Sequence, residues 1–115
     1  MVWIPKYRRR VIRGKVAVRL RQLLREACKV NRWKIIELST EEDHVHLMIQ
    51  IQAWNSISEV VQILKGGTSR VIRKDFPELE EFLWGDSFWA DGYFAETVGQ
   101  VEEEVVRKYI REQQG

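Results

Sequence analysis

The chain has 115 residues, of which 44% are hydrophobic and 31% charged, a composition typical of a globular domain with one core. No apolar run approaches the roughly 18 residues that a membrane-spanning helix needs, and the first residues do not resemble a signal peptide. We therefore expect a single cytoplasmic domain over residues 1–115 with no membrane partner. One cysteine, Cys28, excludes an internal disulfide and a cysteine-based zinc site.

The net charge of +2 conceals a strong asymmetry along the chain. Residues 1–34 contain 12 of the 19 Lys and Arg residues and a single acid, Glu26, so this part carries +11 and the remainder carries −9. A face that binds a polyanion would explain this pattern, and so would a solvated helix surface. Charge alone does not decide between the two.

The predicted elements follow the order strand, helix, strand, strand, helix, strand, helix. Residues 2–9 form a strand, and apolar residues at helical spacing predict a helix over 16–30. Residues 33–39 and 44–52 form a hairpin with a polar turn at 40–43. The next helix begins at an S-x-x-E capping box, Ser56 to Glu59, and continues to about Lys74.

Extended structure follows over residues 87–98, and a last helix covers 100–114. This order predicts an α+β fold: a ferredoxin-like split β-α-β antiparallel sheet, with helices on one face and an added C-terminal helix. Gly66 and Gly67 lie inside the second predicted helix, where each glycine costs about 0.5–1 kcal/mol relative to alanine. Either another group approaches the backbone closely there, or the helix is kinked.

Two histidines stand one residue apart at the start of the third strand, in the segment DHVHLMIQIQ (43–52). Side chains alternate between the two faces of a strand, so Val45 and Leu47 share the core face while His44 and His46 share the other, which we expect to be open. Two imidazoles at this spacing can reach one cation. H-x-H alone is a weak motif, however, and two surface histidines remain the alternative.

A metal bound by two imidazoles requires a further ligand, and the last predicted helix offers one. Tyr109 and Gln113 are four residues apart and therefore share a helical face. A Gln carbonyl oxygen can bind a hard cation, and a phenol beside a metal can act as a nucleophile. Taken alone, the two residues are more simply explained as a rim aromatic and a solvated glutamine.

Five segments together resemble a known family along nearly the whole chain. They are VWIPKYRR, DHVHL, LKGGTSRVIRKDFPEL, GYFAETVG and VVRKYIREQ. They resemble the small single-tyrosine HUH transposases of insertion sequences (the TnpA type), whose relatives include the repeat-associated tyrosine transposases. HUH denotes His, hydrophobic residue, His, which here is His44-Val45-His46.

The resemblance implies a function and a mechanism. His44, His46 and Gln113 would bind Mg²⁺ or Mn²⁺, and Tyr109 would attack a phosphate in single-stranded DNA. The products would be a 5′-phosphotyrosine link and a free 3′-OH, and a second 3′-OH would reseal the strand. The resemblance also implies DNA hairpins as substrates and a homodimer in which the tyrosine helix of one subunit serves the histidine pair of the other.

Two basic clusters are candidates for contacts with DNA phosphates, and three aromatic residues are candidates for stacking on unpaired bases. The first cluster comprises Lys6, Arg8, Arg9, Arg10 and Arg13, the second comprises Lys65, Arg70, Arg73 and Lys74, and the aromatic residues are Trp3, Phe88 and Trp89. For each aromatic residue taken alone, core packing is favoured over stacking. Two other functions remain open: processing of repeat hairpins by a domesticated relative, and non-catalytic binding of single-stranded nucleic acid.

Overall fold

The computed structural model describes residues 1–83 and 88–95. These residues contain a three-stranded antiparallel sheet, and its central strand is the third in sequence. The strands are β1 (Val2–Trp3), β2 (Lys34–Glu41) and β3 (His44–Gln50), in the spatial order β1-β3-β2. Helix α1 (Gly14–Val30) connects β1 to β2, and β3 lies between these two strands. The predicted α+β class with an antiparallel sheet is therefore confirmed. The predicted C-terminal helix lies outside the described residues.

The helices begin and end close to their predicted positions. Helix α2 spans Ile57–Asp75, and its N-cap is Ser56, whose hydroxyl accepts a hydrogen bond from the Glu59 amide at 3.1 Å. A short helical turn at Pro77–Leu79 and helix α3 (Glu80–Leu83) follow, and neither element was predicted. No helix among the described residues is both long enough and apolar enough to cross a membrane.

Strand β2 contains a bulge that the sequence reading did not anticipate. Ile35 pairs with Ile49 and Glu37 with Met48, so Ile36 is the extra residue of the bulge. Strict alternation would put Ile35 and Leu38 on opposite faces of the sheet. Because of the bulge, both residues pack against the same core.

The core joins α1 and α2 to one face of the sheet. Leu20 and Leu24 of α1, Leu64 of α2, and Val45 and Leu47 of β3 are at most 1% exposed and belong to one hydrophobic cluster. The side chains of β3 that alternate with Val45 and Leu47 therefore point away from the helices.

The first strand, β1, is much shorter than the strand predicted over residues 2–9. After β1, a tight helical turn at Lys6–Arg8 replaces the extended backbone, because Tyr7 and Arg8 have positive φ angles of 59° and 50°. The predicted extended segment is present in part: residues 88–94 lie antiparallel to residues 2–6 through isolated bridges at Val2–Phe94 and Pro5–Trp89. Residue 87 and residues 96–98 of the predicted segment lie outside the described part of the chain.

Gly66 and Gly67 lie in an unbroken helix, so the helix is not kinked there, which was one of the two alternatives. Both are exposed, neither has a positive φ, and an added Cβ atom would meet no described atom within 4 Å. The described residues therefore give no steric reason for glycine at either position.

We predict that Gly66→Ala and Gly67→Ala each stabilise the domain by about 0.5–1 kcal/mol, because alanine loses less backbone entropy than glycine in a helix and meets no neighbour here. Urea unfolding of the two variants beside wild type measures the change. A loss of stability would contradict the prediction and would show that a group outside the described residues packs on this backbone.

Candidate functional site: a histidine pair beside a basic turn

A two-residue turn, Glu42-Asp43, joins β2 to β3 and fixes the position of the histidine pair. Strand β2 extends through Glu41, which pairs with His44, so the turn is shorter than the predicted 40–43. The carbonyl of Glu42 accepts a hydrogen bond from the Ile12 amide at 2.9 Å. This bond attaches the turn to the segment that precedes α1.

The two imidazoles lie on the same face of β3, as alternation predicts. Their ring centroids are 4.8 Å apart and their planes are inclined at 70°. Val45, between them in sequence, is fully buried on the helical face. The strand thus holds two imidazole rings side by side.

The expectation that both histidines lie on an open face is wrong for His46. It is only 9% exposed, whereas His44 is partly exposed. Its cross-strand neighbours are Val2 on β1 and Ser39 on β2, and side chains paired in this way are close enough to cover one another. Burial, followed by the nearby positive charges of His44 and the N-terminus, lowers the pKa of His46.

Asp43 orients His44. Its Oδ1 atom lies 2.7 Å from Nδ1 of His44, and because an ionised carboxylate only accepts hydrogen bonds, Nδ1 is the donor and Nε2 is the ring nitrogen that Asp43 does not engage. This is the arrangement in which a carboxylate fixes the tautomer of a metal-binding histidine. The hydrogen bond to His44, together with the cation of Arg8, lowers the pKa of Asp43, so this carboxylate is ionised at neutral pH.

Arg8 holds the other oxygen of the same carboxylate. Its Nε lies 3.2 Å from Oδ2 of Asp43, and the left-handed turn at Tyr7 and Arg8 brings it there. Non-glycine residues adopt this conformation at a cost of about 1–2 kcal/mol each, and such outliers concentrate at functional sites. Residues 8, 43 and 44 therefore form one connected polar chain.

The first basic cluster lies around the same turn. Arg8 contacts Asp43, Arg10 lies 3.8 Å from Glu42, and the amide of Ile12 is bonded to the Glu42 carbonyl. Arg9 and Arg13 are exposed and form no side-chain ion pair with any described residue. The structure thus brings five predicted phosphate-binding residues, Lys6 to Arg13, to the end of the sheet that carries His44.

The second basic cluster lies on α2 and is partly engaged within the protein. Lys65 donates to the carbonyls of Ala90 and Gly92 at 2.7 and 2.9 Å, and burial lowers its pKa. Arg73 is paired with Glu80, and Arg70 is exposed. Lys65 therefore fixes the 90–92 loop in this structure, and its predicted contact with DNA stays a prediction.

The three aromatic residues predicted to stack on DNA bases are core residues. Trp3, Phe88 and Trp89 are between 0 and 3% exposed. Trp89 makes edge-on contacts with the other two rings, and its Nε1 donates to the Thr68 hydroxyl at 2.9 Å. Core packing, the alternative in each case, is the observed arrangement.

The described residues contain no group of three or more His, Cys, Asp or Glu side chains that could hold a metal ion. His44 and His46 supply two ligands, so a metal here needs a donor from elsewhere or of another chemical type. Tyr109 and Gln113, the predicted nucleophile and third ligand, lie outside the described residues.

The sequence of the chain is similar to those of known proteins. The profile of a family described as "Transposase IS200 like" matches residues 1–113. The chain is 34% identical to the ISDra2 transposase TnpA of Deinococcus radiodurans, over 98% of this chain and 81% of that protein. It is 30% identical to the transposase for insertion sequence element IS200 of Salmonella typhimurium, over 98% and 74% of the respective chains.

The fold agrees with the sequence matches. A crystal structure of a predicted transposase from Deinococcus radiodurans R1 superimposes with a TM-score of 0.78 and 30% sequence identity, and covers 97% of this chain and 86% of that one. The likeness extends over the sheet, both long helices and the histidine-bearing strand. The chain therefore belongs to the family of IS200-like transposases.

Proposed function

We propose that this transposase cleaves and rejoins single-stranded DNA at the ends of an insertion sequence through a 5′-phosphotyrosine intermediate formed on Tyr109. The observation that carries the proposal is the pair of imidazoles, 4.8 Å apart on one strand face, with His44 oriented by Asp43. A histidine that only packs or faces water needs no such partner. The family supplies the context of a DNA-processing enzyme.

The residues present fit a divalent metal, Mg²⁺ or Mn²⁺. Hydrogen bonding of Nδ1 of His44 to Asp43 leaves its Nε2 atom available as a ligand, and the lowered pKa of His46 keeps this imidazole neutral near pH 7. Gln113 would complete the protein ligands through its side-chain oxygen. When bound, a divalent cation orients a phosphate and stabilises the charge that develops on it.

Tyr109 would supply the nucleophile. Its phenolic oxygen forms a bond to phosphorus as the bond to the 3′ oxygen of the neighbouring nucleotide breaks, which leaves DNA joined to tyrosine and a free 3′-OH. The reverse attack by another 3′-OH restores a phosphodiester. Because the energy of the broken bond is retained in the phosphotyrosine, the reaction needs no nucleotide cofactor, and the sequence has no G-x-x-x-x-G-K-[ST] loop.

The first basic cluster would hold the DNA backbone beside this site. Arg9 and Arg13 are exposed at the end of the sheet where His44 lies, and cationic side chains supply most of the sequence-independent affinity for DNA.

We further propose that the chain has the complete ferredoxin-like fold, with a C-terminal helix that carries Tyr109. We also propose a homodimer that binds DNA hairpins and shares its active sites between subunits.

We predict a covalent protein–DNA adduct, stable in denaturant, when wild-type protein is incubated with Mg²⁺ and labelled single-stranded DNA from the flanks of the gene. Tyr109→Phe should form none, because it lacks the nucleophilic oxygen, and EDTA should abolish the adduct of wild type. Denaturing gels resolve the species.

The other two tyrosines provide matched controls for the adduct experiment. Tyr7→Phe and Tyr93→Phe each remove one phenolic oxygen from an exposed position, and both should retain the adduct. An adduct that persists in Tyr109→Phe but disappears in either control variant would assign the nucleophile elsewhere. No adduct in any protein would leave non-catalytic binding as the function.

Asp43→Ala should weaken Mn²⁺ binding by about 10- to 100-fold, because loss of a partner that orients a histidine ligand has this effect in metal sites. Glu42→Ala is the matched control: Glu42 is the neighbouring acid of the same turn, but its carboxylate is paired with Arg10 instead of a histidine. Isothermal titration measures both affinities without any catalysis. Equal losses in the two variants would show that only general negative charge matters.

The pKa of His46 should fall below its ordinary value of 6.5 in the metal-free protein, because burial disfavours the charged imidazole. NMR titration of a His44→Gln variant, which retains a single histidine, reports the lowering of the pKa that burial causes without the contribution of His44. The unfolded chain then binds the proton more readily, so the contribution of His46 to stability is present above pH 6.5 and is lost as pH falls through the folded pKa. A pKa above 6.5 would contradict the observed burial.

A further inference from the structure

Trp54 differs from every other described tryptophan in its exposure. Its side chain is 81% exposed, whereas Trp3, Trp33 and Trp89 are between 1 and 4% exposed. It lies in the short loop between β3 and α2. An indole ring exposed on a loop offers a large aromatic face to a binding partner.

The loop that carries Trp54 is fixed on both sides of the tryptophan. On one side, Nε2 of Gln52 donates to the carbonyl of Arg32 at 2.9 Å. On the other, Oδ1 of Asn55 accepts from Nε1 of the buried Trp33 at 3.2 Å, and the Asn55 amide donates to the Gln52 carbonyl at 3.0 Å. The ring is therefore presented from a clamped turn, and little backbone entropy remains to be lost on binding.

The surroundings of Trp54 are basic. The clamp attaches its loop to the connection between α1 and β2. Arg32 lies in that connection, Lys29 lies in the last turn of α1 and Lys34 is the first residue of β2, and all three are exposed. Neither residues 29–34 nor residues 50–56 contain an Asp or Glu. An exposed ring beside three cations matches a ligand with aromatic faces and negative charges.

This surface is separate from the histidine site. His44 is the first residue of β3 and Gln50 the last, and at a rise of about 3.3 Å per residue the two ends of the strand are roughly 20 Å apart. Trp54 follows the far end. A ligand that contacts both places must be an extended polymer, and DNA is the polymer on which a transposase acts.

We propose that Trp54 is a stacking platform for an unpaired base of the DNA substrate, and that Lys29, Arg32 and Lys34 contact the adjoining phosphates. The proposal deepens the proposed single-strand activity by adding a second contact at the opposite end of the sheet. Stacking on an aromatic side chain tolerates any base, so this contact contributes affinity and fixes the path of the strand without reading its sequence.

The test is binding of a fluorescein-labelled single-stranded oligonucleotide from the gene's flanks, measured by anisotropy in EDTA so that no cleavage occurs. Trp54→Ala should weaken binding by about 5- to 100-fold, the range for the loss of one base stack, and Trp54→Phe should keep most of the affinity because a ring remains. Ile63→Ala is the control, since Ile63 is another exposed apolar residue, on α2, and is 46% exposed.

Two results would overturn the platform. One is equal affinity of wild type and Trp54→Ala in samples that melt at the same temperature. The other is conversion of a dimer to a monomer by Trp54→Ala, seen by light scattering, which would assign the ring to a subunit contact. Because the measurement excludes catalysis, failure of the Tyr109 adduct in wild type would refute the proposed reaction and leave this binding result intact.

Discussion

Alternation along β3 is the constraint on which the rest of the site depends. Val45 and Leu47 are fixed in the core by both long helices, and their burial forces the residues between and before them onto the opposite face. A slip of one residue in the pairing of β3 would exchange the two sets and place both imidazoles in the hydrophobic cluster. The packing that buries Val45 and Leu47 thus also determines the direction of the two imidazole side chains.

The Asp43 carboxylate connects strand β3 to the segment before α1. One oxygen contacts His44 and the other contacts Arg8, so a residue near the N-terminus and a residue in the hairpin turn share one ionic partner. The Ile12 amide adds a backbone hydrogen bond to the same turn. The cationic segment and the histidine pair are therefore joined through one carboxylate and one backbone hydrogen bond.

Periodicity in the sequence was sufficient for the long elements. The apolar spacing in α1, the Ser56 cap of α2 and the strand alternation at His44 and His46 are local signals, and local physics determines each of them. The same signals also placed the histidines together. The order of elements gave the antiparallel sheet, because few connections between such elements are possible.

What the sequence could not provide depends on contacts between distant residues. The left-handed turn at Tyr7 and Arg8 contains no glycine, the residue that usually indicates such a turn in a sequence. The bulge at Ile36 can be recognised only from the pairing of β2 with β3. Burial of Trp3 and Trp89 results from packing between β1 and the 88–94 segment. The aspartate directly before the H-x-H motif was a usable signal for an orienting carboxylate, and the sequence reading passed over it.

The turn at Tyr7 and Arg8 has a consequence for how this protein can change over time. The side chain of Arg8 reaches Asp43 from a left-handed backbone. Glycine at this position would relieve the torsional strain but would remove the guanidinium that contacts the carboxylate. Selection for stability and selection for this contact would thus act in opposite directions at Arg8.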